Sequence, residues 1–323
     1  MKAVLHIGWP KTGTTYLQEW LHANALRLDA ICVRPLESWY VHRIAMEDIE
    51  SRERARLADV TGHKASIPLE QATGNLLGIE PSHLAVMSSE YFSLCDPYAV
   101  AARMRALGVE VVAIACYLRR QDVVAASGWS QMVKAEGAVE PVTEVGYFVD
   151  FDYELAFARW AGAFPGADVQ FRNYRSAAAG GNLAATFKGI LGCEDLETTD
   201  NGSWDNNPGL SAEMTEIARM INGRGIDFRQ FLPYLSEFNT GERFAFSPRL
   251  TEEWERIYRR SNKAFARRAV TDDFSEFCAT EWTPPGIDLT GRVSEERCNE
   301  VLAALTAKRD AALAAMGATE PVA

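Results

Sequence analysis

Apolar positions in this chain fall into short runs separated by stretches with helical spacing. Val4 to Ile7 is such a run, and it ends in Gly8-Trp9-Pro10-Lys11-Thr12-Gly13-Thr14-Thr15. Tyr16, Leu17, Trp20 and Leu21 then recur on one helical face, so the first segment reads as strand, loop, helix. Ala30 to Val33, before Pro35, predicts a second strand, and Leu84 to Met87 a third, followed by Ser88-Ser89-Glu90. Val109 to Leu118 is nearly continuous and rich in β-branched residues, as in a strand buried on both faces of a parallel sheet. It ends at Arg119-Arg120, and a helix is expected to about Lys134. Asp168 to Tyr174 is the fifth strand, again with a helix after it.

Strands thus alternate with helical segments up to about residue 192. That alternation predicts an α/β fold: a mainly parallel sheet of about five strands with helices on both faces. Residues 44–58, rich in Arg and Glu, suggest an exposed helix. Asp200 to Pro208 is turn-rich and closes the sheet region. Beyond it the spacing is helical: Leu210 to Asn222 with Ser211 as the cap, Thr251 to Arg268, and Ser294 to Met316. One domain over 1–323 is expected, with an α/β core at 1–199 and a helical C-terminal elaboration at 200–323.

Composition narrows the partners. Hydrophobic residues are 47% and charged residues 24% of the 323, as in a globular chain. The net charge is −11, which argues against bulk nucleic-acid binding, so an anionic ligand must rely on a local positive site. No apolar run is long enough to span a membrane. The N-terminal run is too short for a signal peptide, and the cytoplasm is the expected location. Six scattered cysteines form no CxxC pair and no Cys/His cluster with zinc spacing, so reduced, buried thiols and no metal are expected.

The chemistry concentrates in Gly8 to Tyr16. A loop between a strand and a helix can aim backbone N–H groups and the positive end of the helix dipole at an anion. Gly13 permits close approach, Lys11 adds a charge, and the hydroxyls of Thr12, Thr14 and Thr15 add donors. The segment departs from GxxxxGK[ST], because Lys11 precedes Gly13. Pro10-Lys11-Thr12-Gly13-Thr14-Thr15-Tyr16 instead resembles the 5′-phosphosulfate loop of P-loop-like sulfotransferases that use 3′-phosphoadenosine 5′-phosphosulfate (PAPS). Its N-terminal form looks like that of bacterial members acting on carbohydrates or other small acceptors. The competing reading is a loop with chance glycines.

The resemblance extends to two further elements. In that family an Arg at the end of the middle strand and a Ser eight residues later hold the donor's 3′-phosphate. Arg119 and Ser127 have this spacing here, and Arg119 is preferred over Arg120 on that ground. A solvated strand end is the plain alternative. The family's general base, a His or a Glu, follows the third strand, which implicates Glu90, with Ser88 or Ser89 bonding the sulfuryl oxygens. Glu90 as an ordinary loop or capping carboxylate is the alternative. His6, His22, His42, His63 and His83 are rival bases, although a strand residue such as His6 is more often a satisfied core histidine. Tyr16 and Tyr174 stand where the family holds adenine. The family's late Arg-Lys-Gly-x-x-Gly loop is absent, with Gly241-Glu242-Arg243 the nearest substitute. Asn207 to Ser211 and Ser247 to Lys263 match bacterial relatives loosely.

The resemblance implies transfer of a sulfuryl group from PAPS, leaving 3′-phosphoadenosine 5′-phosphate (PAP). The acceptor would be a hydroxyl or amine of a small molecule or carbohydrate. In-line transfer, a general base and no metal would be expected. Two alternatives stay open: a P-loop phosphotransferase or ATPase, and a catalytically silent nucleotide-binding protein. Arg256, Arg259, Arg260, Lys263 and Arg267 form a helical basic stripe, read as a solvated face or as a dock for an anionic acceptor. Trp254, Ile257, Tyr258 and Phe265 are expected to form its buried side.

Overall fold

The structure is a computed structural model that describes residues 1–50, 67–141, 151–179, 183–199, 209–269 and 272–317. Among them, β1 (Lys2–Ile7), β2 (Val33–Pro35), β3 (Leu84–Ser89), β4 (Glu110–Leu118) and β5 (Asp168–Asn173) form one sheet in the order β2-β3-β1-β4-β5. Every pairing is parallel. The helices are α1 (Thr14–Ala23), α2 (Ala25–Asp29), α3 (Ser38–Met46), α4 (Leu69–Leu77), α5 (Pro97–Ala106), α6 (Gln121–Glu136), α7 (Tyr153–Ala163), α8 (Tyr174–Ala178), α9 (Leu183–Leu191), α10 (Ala212–Gly223), α11 (Pro248–Ala266), α12 (Ser275–Cys278) and α13 (Glu295–Gly317).

The chain divides into two compact units, each made of separate segments. The first comprises 1–119, 152–206 and 259–278; the second comprises 120–151, 207–258 and 279–323. The second therefore takes α6, which precedes residue 199, and the first takes back the end of α11.

In the first unit the central strands are buried on both faces, because helices cover both. Val4, Val86, Ala113, Ala115 and Tyr117 form one face and share an apolar cluster with Tyr16, Leu17 and Trp20 of α1 and Leu183 and Phe187 of α9. Full burial of such side chains contributes ~1.5–3 kcal/mol each. The opposite face carries Leu5, Met87, Ile114 and Cys116, all fully buried. On that side α3 packs on β3, α5 on β4 and α7 on β5, with Phe157 edge-on to Phe171 at 5.4 Å. Parallel strands run their C-terminal ends to one edge, and ligands of such sheets bind there, where the strand order reverses. Here that edge carries the Gly8–Gly13 loop after β1 and the turn after β3.

The second unit is helical. Trp129 and Val133 of α6, Met214, Ile217 and Ile221 of α10, Phe228 and Phe231, and Val301 and Leu305 of α13 make its core. Ser211 caps α10 as expected, its Oγ accepting from the Met214 N–H at 3.2 Å. No described helix is long and apolar enough to cross a membrane.

Local expectations needed four corrections. The second strand is Val33–Pro35, because α2 runs to Asp29 and a turn with Cys32 at φ 60° intervenes. Cys32 is accordingly exposed, while Cys95, Cys116, Cys193 and Cys298 are buried and Cys278 is intermediate. Ile257 is 47% exposed, so of the four residues expected on the buried side of α11 only Trp254, Tyr258 and Phe265 are buried. In the 44–58 region α3 ends at Met46, and residues 51–58 lie outside the described residues, as do His63 and Asp200 to Pro208.

Candidate functional site

The loop after β1 is held by its own bonds. The Trp9 N–H donates to the Ile7 carbonyl at 2.9 Å, and Thr12 Oγ1 donates to the Trp9 carbonyl at 2.6 Å. The Gly8 N–H donates across to the Ser89 carbonyl at 3.0 Å, continuing the β1–β3 ladder into the loop. Two residues take left-handed backbone: Lys11 at φ 61° and Gly13 at φ 79°. Glycine adopts this freely; lysine does not, and such strain collects at functional sites.

Gly13 is the N-cap of α1 and offers no side chain to cap it. The first-turn N–H groups of any helix lack intrahelical acceptors, so this end favours an anion. Thr14 Oγ1 is buried and has no hydrogen-bond partner among the described residues. A Cβ on Gly13 would stand 2.7 Å from Leu183 Cδ2 and 3.0 Å from Tyr174 Cε2, so the backbone approaches that ring closely. Pro10 and Thr15 are exposed, Lys11 is half-buried, and Tyr16 is buried in the α1 face of the core. The structure thus brings Gly13, Tyr174 and Tyr16 together, Tyr16 and Tyr174 sharing the apolar cluster.

Arg119 joins them. Its guanidinium lies over the Tyr174 ring, 4.0 Å from the centroid. Arg120 is committed elsewhere. It makes a two-pronged pair with buried Asp122 at 2.7 and 2.8 Å, donates to the Thr283 carbonyl at 2.7 Å, and covers the Trp282 ring. Burial pushes the Asp122 carboxyl up, and the Arg120 hydrogen bond opposes that shift. Of the doublet, spacing and contacts both favour Arg119 for a ligand. Ser127 is half-buried on α6, in the second unit. Arg243, in the nearest substitute for the late loop, donates to the Gly209 carbonyl, and its own carbonyl accepts from the Ile287 N–H at 3.1 Å. It is a tie within the second unit.

The segment after β3 is less open than the sequence suggested. Ser88 Oγ lies 2.8 Å from His6 Nδ1. Ser89 Oγ lies 2.7 Å from His42 Nδ1 and also caps the short 3-10 helix Glu90–Leu94 by accepting from the Tyr91 N–H. Both hydroxyls are buried and engaged. His6 is fully buried between Tyr117 and Phe187, and burial pulls its imidazole down to about 3. Such a ring is neutral near pH 7 and enclosed in the core. His42 is buried, while His22 and His83 lie in exposed or half-exposed pairs with Glu37 and Asp29.

Glu90 is exposed, directly follows β3, and its backbone meets the loop: a Cβ on Gly8 would be 2.9 Å from Glu90 Cα. A cleft of about 750 Å³ opens there, lined by Thr15, Ser88, Glu90 and Trp39 among others.

Sequence reasoning missed Tyr153. Its OH donates to the Arg119 carbonyl at 2.7 Å, and its ring stands edge-on to Trp9 at 5.3 Å. One side chain thus braces both the loop and the end of β4. No spacing rule connects residues 9, 119 and 153; only the sheet order does. His42, one of the rival bases in the sequence, instead holds Ser89 from α3.

No family model matches the chain. An uncharacterized protein of Archaeoglobus fulgidus is 28% identical over 234 residues, 67% of this chain, and the chain spans 64% of that relative's length. Among solved structures, a sulfotransferase from Alicyclobacillus acidocaldarius superposes with a TM-score of 0.50 at 13% identity, covering 85% of this chain and 98% of that one. The fold is α/β and sulfotransferase-like. At such identity the likeness concerns the path of the chain alone.

Proposed function

We propose that this protein is a PAPS-dependent sulfotransferase acting on a small-molecule or carbohydrate acceptor. The observation that carries the reading is the convergence of the Lys11–Gly13 loop, Tyr174 and Arg119 on one edge of the sheet. The residues fit the donor. The orphaned Thr14 hydroxyl and the uncapped start of α1 suit the 5′-phosphosulfate, and the space a Cβ on Gly13 would fill lets the backbone approach it. Arg119 suits the 3′-phosphate, since a guanidinium grips phosphate with two N–H groups. Tyr174 and Tyr16 are the adenine contacts.

PAPS supplies an activated sulfuryl group whose departure leaves PAP. Lys11 and the first-turn amides stabilise the charge that grows on the departing phosphate oxygen, where preorganised donors act most strongly. Glu90 takes the proton of the acceptor hydroxyl or amine from the opposite side. Ser88 and Ser89 were also candidates to bond the sulfuryl oxygens; their engagement with His6 and His42 favours a supporting role that holds the turn carrying Glu90. The sulfuryl group carries a single negative charge, so these cationic and N–H groups meet its needs and no metal is proposed. Cytoplasmic location is part of the proposal.

Calorimetric titration with PAP in EDTA, beside ATP with Mg²⁺, tests the reading. Micromolar binding of PAP without metal, with ATP weak, is the expected result. Metal-dependent ATP binding with no PAP binding would overturn it in favour of a phosphotransferase.

A further inference from the structure

The cleft beside Glu90 carries information about the acceptor. It lies in the first unit, and its floor is the C-terminal end of the sheet, with Gln18 Nε2 donating to the Ser88 carbonyl at 3.1 Å. Its volume, about 750 Å³, falls in the range of a small-molecule site, ~300–1,000 Å³. Three features define its chemistry. Trp39 lines it and is 55% exposed, so its ring face is open to stacking. Glu19, Glu37 and Glu90 line it. Among the described lining residues none is Lys or Arg, and His22, 3.6 Å from Glu37, is well exposed. A carboxylate- or sulfate-bearing acceptor would meet like charge on several sides.

We propose that this cleft is the acceptor site and selects a ring-bearing molecule with a positive charge, such as a basic amine that also carries a hydroxyl. The inference rests on the sulfotransferase reading. Trp39 stacks on the ring and attracts the cation through its π face. Glu37 holds the charged end. The hydroxyl is thereby aimed at Glu90, which the Gly8 contact keeps beside the phosphosulfate loop. In the step, the acceptor oxygen forms a bond to sulfur as the bond from sulfur to the donor's phosphate oxygen breaks. The hydroxyl proton passes to the Glu90 carboxylate, and the bond's electron pair leaves with PAP.

The test uses three matched phenols: tyramine, 4-ethylphenol and 4-hydroxyphenylacetate. Each is titrated into the full chain saturated with PAP, and each is offered as acceptor with PAPS. Expected is tighter binding of tyramine than of 4-hydroxyphenylacetate by roughly tenfold or more, given partly screened charges within one cleft. Glu37→Gln should cut that ratio several-fold while leaving 4-ethylphenol unchanged, and Trp39→Ala should weaken all three. Raising the salt should compress the ratio. Equal or tighter binding of the carboxylate would overturn the charge assignment. Failure of all three to bind the PAP-loaded protein would overturn the cleft as the acceptor site. Failure of PAP itself to bind would instead overturn the sulfotransferase reading.

Discussion

Gly8 and Glu90 meet backbone to backbone: a Cβ on Gly8 would stand 2.9 Å from Glu90 Cα, and 2.5 and 2.6 Å from the two branches of Thr14. The loop after β1 and the turn after β3 can therefore come together only with glycine at position 8. Gly8→Ala must push one of them away. It is expected to cost ~1–3 kcal/mol of stability, the usual range for overpacking, and to weaken PAP binding with it. Urea unfolding and calorimetry on the same variant check both. An alanine variant with wild-type stability and affinity would sink the idea.

The two arginines at the end of β4 should separate cleanly. Arg119→Met removes a guanidinium that covers only a tyrosine ring, so the fold should stand. PAP affinity should drop by roughly 10- to 150-fold, for a charge-assisted hydrogen bond of ~1.5–3 kcal/mol. Arg120→Met leaves Asp122, 2% exposed, without its partner. Its expected cost is ~3–5 kcal/mol of stability. Calorimetry and denaturation on both variants give opposite patterns if the roles are as described.

Lys11 carries a left-handed backbone, φ 61°, and is the proposed cation of the donor loop. Lys11→Gly and Lys11→Ala both remove the ammonium, so both should lose turnover, by ~10²–10³-fold for one lost transition-state donor. Only glycine relieves the backbone, so Lys11→Gly should be about 1 kcal/mol more stable than Lys11→Ala. Turnover assays with thermal melts test this, and an alanine variant more stable than the glycine one would refute the strain.

Glu90→Gln keeps shape and removes the proposed base. Turnover should fall by ~10²–10⁴-fold, with PAP affinity unchanged, since the proposal sets Glu90 on the acceptor and not on the donor. If turnover persisted, one of the histidines would regain the role.

His6 makes stability depend on pH. Its folded pKa is lowered to about 3 by burial, from an ordinary value of 6.5. Between these values the unfolded chain binds the extra proton, so stability falls as pH drops through this window and is fully present above it. The slope should approach ~1.4 kcal/mol per pH unit from this group. Urea titrations at pH 7 and pH 5 on the wild type and on His6→Asn should show a flatter dependence in the variant.

Much of this protein was legible in the chain itself. The apolar run at 109–118, a strand with no polar face, required a sheet covered on both sides, and β4 is buried in that way. Ser211 as a cap, the extents of the helices near 251–268 and 294–316, and the strand–loop–helix around Lys11 are local matters, governed by spacing, capping and glycine chemistry within a few residues. The order Lys11, Gly13, Thr14 likewise carried the expectation of an anion loop.

Tertiary structure decided what depends on separate strands arriving at one edge. The sheet order β2-β3-β1-β4-β5 sets Glu90 against Gly8, lays Arg119 over Tyr174, and puts Tyr153 between Trp9 and the Arg119 carbonyl. It also gave Ser88 and Ser89 to two histidines 82 and 47 residues away. Periodicity reports which side of an element is buried, but not which residue will lie opposite it. Arg120 is tied both to Asp122, two residues on, and to the Thr283 carbonyl, 163 residues on; the second tie is beyond sequence reading, because a hydrogen bond forms where the folded backbone brings its partners, at whatever distance they stand in the chain.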